Sequence, residues 1–227
     1  MAYLKTKDKT TGSGRARKSS FCLDEAHQIS FSAELLRKGT HIGALIVPVL
    51  YIWALDGDRR IALTILIPVA LFMTLVDISR LRHWKLWEVF KPFTGSMVRK
   101  HEEAGDFTGA FYILWMFCLV IAMFDPAIAA ISASFIIVGD TLAALIGRRF
   151  GKRKFRGKSL EGSMACLFGT VVVAYAGHEL FNIPLLVTVF GAFTAAVVEA
   201  IPDFVDDNLS VPLLSALAMT LAVKLFY

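Results

Sequence analysis

Residues 139–162 read GDTLAALIGRRFGKRKFRGKSLEG. Asp140 sits inside an apolar stretch with helical character. Seven Lys and Arg residues follow between Arg148 and Lys158, and the chain turns apolar again after Ser159, Leu160 and Glu161. That order describes a helix leaving a membrane, a cationic loop at the headgroups and a second helix returning. A carboxylate at the mouth of such a helix, beside a basic loop, suits a metal–triphosphate complex. The metal takes oxygen ligands, and the phosphates take backbone N–H groups and Lys or Arg.

The rest of the chain supports the membrane reading. Of its 227 residues 56% are hydrophobic and 19% charged, and the mean hydropathy is +0.60. A soluble domain of this size is less apolar, and here the apolar residues come in blocks. A span needs roughly 20 of them, and seven candidates are counted, at about 40–55, 61–79, 107–124, 126–147, 160–178, 183–201 and 211–226. The expected fold is therefore all-α: a polytopic integral membrane protein of about seven transmembrane helices, with amphipathic interfacial helices. Counting Lys and Arg by loop puts 21 on the face of the N-terminus and three on the other. The positive-inside rule then sets the N-terminus in the cytoplasm and the C-terminus outside, in the plasma membrane for a prokaryotic chain.

The net charge of +5 follows from this asymmetry. Anionic headgroups account for the basic segments, and no nucleic-acid partner is expected. Cys118 and Cys166 fall within spans, so no disulfide framework is expected. Residues 1–20 read as a disordered basic tail rather than a signal peptide, residues 21–39 as an interfacial segment, and residues 40–227 as a single membrane domain with its site on the cytoplasmic face. Within the second segment a helix is expected over 24–39, with Ile29, Phe31, Leu35 and Leu36 opposite Glu34, Arg37, Lys38 and His41. Gly39 and Thr40 are expected to break it from the first span. Trp84, Trp87 and Phe90 recur every three residues in the long loop after Arg80, the pattern of an amphipathic anchor that Pro92 ends. The many glycines of the later spans read as packing positions, with Gly139, Gly147 and Gly162 singled out for backbone access beside polar groups.

Asp140 lies roughly two turns into the membrane, where a carboxylate needs a partner. No Lys or Arg is expected at that depth, so metal binding accounts for it better than a structural ion pair. Glu199 ends the sixth span, and Asp203, Asp206, Asp207 and Asn208 follow it in a cytoplasmic loop with no Lys or Arg. An acidic loop there suits Mg²⁺ opposite the basic one. Asp140, Glu199, Asp206 and Asp207 thus share a face with Arg37, Lys38, Arg148, Lys152 and Lys158. The outer face has few titratable groups, which disfavours a transporter, whose polar path crosses the midplane, and favours an interfacial enzyme. RGKSLEG is not a phosphate-binding P-loop: Gly151 and Gly157 are six apart and a helix, not a strand, precedes them. Lys158 and Ser159, at a helix start, still suit phosphate.

Five segments together resemble the family of dolichol kinase, CTP-dependent diacylglycerol kinase and phytol kinase: ELLRKGTH (34–41), RKHEEAGDFTGAFY (99–112), GDTLAALIGRRFG (139–151), GKSLEGS (157–163) and EAIPDFVDDNLSVP (199–212). The resemblance implies transfer of the γ-phosphoryl group of CTP to a lipid alcohol: a polyprenol or dolichol, diacylglycerol or a shorter isoprenoid alcohol. It marks Arg37, Lys38, Asp140 and Gly147 as essential positions, and Lys158 and Glu161 as the second motif. The chain is shorter than the eukaryotic dolichol kinases, which implies a bacterial or archaeal-type member. Phosphatidate cytidylyltransferases share GD-x₂-A and a K-T-x-E-G segment, but their longer C-terminal signature is replaced here by DFVDDNLSVP.

The implied assignment is as follows. Mg²⁺ bridges the triphosphate, held by Asp140 with Asp206, Asp207 and Asn208. Arg37, Lys38, Arg148, Lys152, Lys158 and Ser159, with backbone at Gly139 and Gly147, meet the phosphates. The lipid hydroxyl gives its proton to Glu161, Glu199 or a loop aspartate. The competing classes are a cytidylyltransferase and a non-catalytic transporter or scaffold. No residue pattern speaks to oligomeric state.

Overall fold

The computed structural model describes residues 31–98, 100–103, 105–155, 158–201 and 206–226. The basic tail, residues 21–30 of the interfacial segment, Gly157 and Asp203 lie outside them.

The chain enters through α1 (Phe31–Gly43) and α2 (Ile46–Trp53), which together make one apolar stretch over Ser32–Trp53. The break expected at Gly39–Thr40 is displaced to Ala44–Leu45. Thr40 stays helical because its hydroxyl donates back to the Arg37 carbonyl at 2.7 Å, so it does not compete with the helix. Lys38 and His41 are therefore carried inward with the helix. Asp56 and Gly57, both at positive φ, turn the chain into α3 (Arg59–Leu81). There Asp58 caps the start by accepting from the Arg60 and Ile61 amides at 2.7 and 3.1 Å, as N-terminal donors require.

The expected anchor is α4 (Lys85–Thr94), and it runs past Pro92 to Thr94. Only then do a 3₁₀ turn (Gly95–Met97) and the short α5 (Lys100–Glu103) follow. Next come α6 (Gly109–Met123) and α7 (Pro126–Phe150), the latter capped by Asp125 with Pro126 in its first turn. The basic loop folds into a minimal antiparallel hairpin, β1 (Lys154–Phe155) against β2 (Lys158–Ser159). The chain ends with α8 (Leu160–Phe181), α9 (Leu185–Ala200) and α10 (Asp207–Phe226).

The fold is helical and membrane-type as expected. Among the described residues five helical stretches suffice, by length and composition, to cross a membrane: Ser32–Trp53, α3, α7, α8 and α10. The other two expected spans, α6 and α9, are apolar helices of 15 and 16 residues, about 22–24 Å long at 1.5 Å per residue. Large apolar side chains such as Leu71, Phe72, Phe168 and Phe193 point outward, as they do where lipid replaces water.

The centre is α7, which packs against α1, α2, α6, α8, α9 and α10 and buries Ile131, Phe135, Ile136 and Ile137 almost completely. Its closest partner is α8. A Cβ on Gly147 would lie 2.7 Å from Ser159 Oγ, and one on Gly162 would lie 2.8 Å from the Ala143 carbonyl. The two backbones touch because neither residue has a side chain. Gly139 is likewise filled by Cys166, so the three glycines singled out for backbone access are helix-packing positions. This contact sets how deeply Asp140, on α7, sits relative to Lys158 at the start of α8.

Candidate active site

Two lysine–carboxylate clusters form on the face where the basic hairpin emerges. In the first, Lys38 of α1 donates to Asp140 Oδ2 of α7. The lysine side chain is 1% exposed and the aspartate 21%. A lysine thus reaches the depth of Asp140 after all. Its position follows from α1 being continuous past Thr40, which a break at that residue would have prevented. His41, one turn along α1, places Nε2 3.6 Å from the same Asp140 oxygen. Arg37 turns instead to Glu34, bridging it at 2.6 and 3.1 Å.

In the second cluster Lys158 of β2 binds three acceptors. Its ammonium lies 3.0 Å from Glu199 Oε1 and 2.8 Å from Asp207 Oδ2, and it also donates to the Glu199 carbonyl. Burial works against the lysine charge, but the Glu199 and Asp207 carboxylates outweigh it and hold Lys158 above the usual lysine range. This cluster ties the hairpin to the end of α9 and the start of α10. It is more open than the first, with Lys158 26% and Asp207 32% exposed.

Other expected site residues are placed differently. Glu161 accepts from the Lys152 and Arg153 amides at 3.1 and 3.3 Å and so fixes the backbone of the basic loop. Ser159 caps α8 by accepting from Gly162 N at 3.1 Å. Asp206 accepts from the backbone and side-chain nitrogens of Asn208 at 2.9 and 2.6 Å, a local cap of α10. Lys152 is exposed, and Arg148 is half-buried beside the loop.

A third group was not singled out in the sequence. Asp77 and Arg80 of α3 are buried and paired at 3.0 Å. Asp77 Oδ2 accepts from the amide and hydroxyl of Thr108, both at 2.8 Å. Arg80 donates to the Glu102 and Asp106 carbonyls at 2.6 and 2.5 Å, and Glu102 accepts from Gly109 N at 3.1 Å. The clamp fastens the loop before α6 onto α3. Its signal was the i,i+3 spacing of an acid and a base at the end of an otherwise apolar span.

Beside this clamp lies a cavity of about 320 Å³, between α1, α3, α6 and the start of α10. Its walls include Val47, Met73, Val76, Ile113, Leu114 and Phe117. Arg37, His41, Asp77, Glu102 and Asn208 also line it, as does Trp87, which was expected only to anchor. Two buried polar atoms around the cavity have no hydrogen-bond partner among the described residues, His41 Nε2 and Asn208 Oδ1; Glu199 Oε2 is a third on the same face.

Oxygen atoms dominate the unpartnered and ion-paired groups, which suits a hard divalent cation. Among the described residues no three His, Cys, Asp or Glu side chains gather closely enough to hold a metal alone. Mg²⁺ does not require that, since it keeps several waters and takes one or two carboxylates together with substrate phosphates. Asp140 and Asp207 are carboxylates of that kind, each already paired with a lysine in its own cluster.

No protein-family model matches the chain, and no solved structure does. Named proteins do. The CTP-dependent diacylglycerol kinase 1 of Eremothecium gossypii is 29% identical over 75% of this chain and 61% of its own length. A probable chloroplastic phytol kinase of Triticum aestivum is 32% identical over 54% of this chain and 46% of its own. The chain is thus similar to named lipid kinases. It spans less than two thirds of the length of these two kinase relatives. An uncharacterized protein of Rickettsia prowazekii is matched nearly end to end, 29% identical over 84% of this chain and 95% of its own length.

Proposed function

We propose that the protein transfers the γ-phosphoryl group of CTP to the hydroxyl of a lipid alcohol at the cytoplasmic membrane surface, with the N-terminus inside and the C-terminus outside. The observation that carries this reading is the apolar cavity, about 320 Å³ in volume, which shares Arg37, His41 and Asn208 with the face where the two lysine–carboxylate clusters lie. An apolar acceptor and a highly charged donor can meet there without either leaving its preferred medium.

The lysines have a specific task in this reading. In phosphoryl transfer little covalent chemistry falls to the protein, and positioning with electrostatic stabilisation does most of the work. Lys158 and the exposed cations of the hairpin meet the triphosphate, and Lys38 holds the Asp140 carboxylate in place. Asp207, Asp140 and Asn208 are the residues that would hold Mg²⁺, which would supply charge neutralisation of the phosphate oxygens. Glu161 keeps the loop backbone shaped for the nucleotide. Glu199, buried against Lys158 with one oxygen unpartnered, is the carboxylate best placed to accept the hydroxyl proton.

Purified protein with Mg²⁺, a panel of lipid alcohols and phosphatidate, and CTP labelled at either the α- or the γ-phosphate tests the reading. Label from the γ position in the lipid is expected. Label from the α position would mean cytidylyl transfer. Neither label, with active controls, would favour a non-catalytic protein.

A further inference from the structure

The open lysine–carboxylate cluster gives Lys158 two tasks that exclude one another. The ammonium has three N–H donors, and three acceptors occupy them: Glu199 Oε1 at 3.0 Å, Asp207 Oδ2 at 2.8 Å and the Glu199 carbonyl. A triphosphate oxygen can be met only when one of these is given up. The two carboxylates differ in what they then lose. The Asp207 side chain is 32% exposed, so water can replace the lysine, whereas that of Glu199 is 7% exposed. Glu199 Oε2 already lacks a partner among the described residues, so departure of Lys158 leaves the carboxylate group buried with neither oxygen paired to a side chain. A carboxylate in that state is a strong proton acceptor, and one held by an ammonium is a weak one.

The exchange falls to the side chain of Lys158. Its backbone is held by pairing with Phe155 across the hairpin, and the next residue, Ser159, caps α8. The four-carbon stem is flexible, and with the side chain 26% exposed the ammonium has an outward path that the enclosed Lys38 lacks. We propose that Lys158 is a switch thrown by the nucleotide: at rest it masks Glu199, and a bound triphosphate draws the ammonium outward and uncovers the carboxylate. The proposal rests on the kinase reading and adds an order to it, donor before acceptor. With the donor in place, the acceptor oxygen bonds the γ-phosphorus while the bond from that phosphorus to the β,γ-bridging oxygen breaks. The hydroxyl proton passes to Glu199, and CDP leaves with the electron pair of the broken bond. Once CDP departs, the ammonium returns to Glu199 and the proton goes to water.

Dicyclohexylcarbodiimide, an apolar reagent for protonated carboxyl groups, tests the switch on the unaltered protein. The protein is held in phosphatidylcholine nanodiscs without lipid alcohol, and the modified residue is mapped by mass spectrometry. Glu199 should react weakly at rest and at least about fivefold more with CTP and Mg²⁺, the factor that corresponds to releasing one partly exposed ion pair. Cytidine, which has no phosphates, should leave the reaction at its resting level. Lys158→Met should react at Glu199 without nucleotide, with CTP adding no more than about twofold. A second arm measures equilibrium binding of radiolabelled CTP. Glu199→Gln should bind about three- to tenfold more tightly than wild type while turnover falls, because the lysine no longer has to leave a carboxylate. In the Lys158→Met background the same substitution should change affinity less than about twofold. Reaction at Glu199 that CTP leaves unchanged or suppresses, or Glu199→Gln binding CTP no more tightly, would overturn the proposal. CTP-triggered reaction at Glu199 without formation of lipid phosphate would sink the kinase reading and leave the switch standing. Phosphoryl transfer with Glu199 indifferent to CTP would do the reverse.

Discussion

Lys38–Asp140 and Lys158–Glu199–Asp207 are built from the same residue types on the same face, but they differ in burial. In the first, the lysine that meets Asp140 is almost wholly enclosed. The second is one lysine on two carboxylates and a carbonyl, partly open to the surface. A buried pair is expensive to break because the survivor is left charged and unpaired, while a shared and partly hydrated cluster tolerates the loss of one member. The first cluster therefore has a structural as well as a chemical part, holding α1 to α7. On the proposed reading the second rearranges when a triphosphate arrives, its lysine exchanging a carboxylate for a phosphate.

The largest effect is expected at the closed cluster. Asp140→Asn should lower turnover by about 10³ or more and cost about 3–5 kcal/mol of stability, read as activity and as a fall in thermal midpoint. The double variant Lys38→Met with Asp140→Leu removes both charges and should recover most of the midpoint without recovering activity. Near-normal turnover in Asp140→Asn would remove the asymmetry between the clusters. At the open cluster, Lys158→Met should lower turnover by about 10²–10³ with a midpoint only a few degrees from wild type. A collapse in stability there would mean that the hairpin depends on Lys158 as α1 depends on Lys38.

Smaller effects sharpen the contrast. Asp77→Asn breaks a clamp that keeps two of Arg80's backbone partners, so a loss of about 2–3 kcal/mol in unfolding is expected, with activity at low temperature within a few-fold of wild type. Glu161→Gln keeps an acceptor for the Lys152 and Arg153 amides. It should raise KM for the nucleotide by about three- to tenfold and leave kcat nearly unchanged; a collapse in kcat would make Glu161 the proton acceptor. Lys152→Ala should raise that KM only about two- to threefold, and the difference should fade at high salt, as expected for an exposed charge.

The helical membrane fold was legible because hydropathy and Lys/Arg placement are strong signals that act residue by residue. The open cluster was legible for the same reason: topology alone brings Lys158, Glu199 and Asp207 to one face. The closed cluster was not. Pairing Lys38 with Asp140 depends on α1 continuing past Gly39 and Thr40, a helix-breaker pattern that the Thr40 hydroxyl neutralises by bonding within its own turn. The Asp77–Arg80 clamp was hidden at the end of an apolar run, where an i,i+3 pair is indistinguishable from a solvated helix end until the partner loop is in view. The cavity depends on how α1, α3 and α6 lean together. Glycine positions were read as packing along α8, but Gly139, Gly147 and Gly162 were exempted for their polar neighbours, and close packing between α7 and α8, against Cys166, Ser159 and the Ala143 carbonyl, leaves no room for a side chain there.

The most direct measurement is the product balance of a single reaction: purified protein, Mg²⁺, CTP and a lipid alcohol, with soluble and lipid products quantified together. Phosphoryl transfer requires CDP and lipid phosphate to appear in equal amounts and to vanish together when Mg²⁺ is chelated. Pyrophosphate with a cytidylyl-lipid, or CDP released with no phosphorylated lipid, would contradict it.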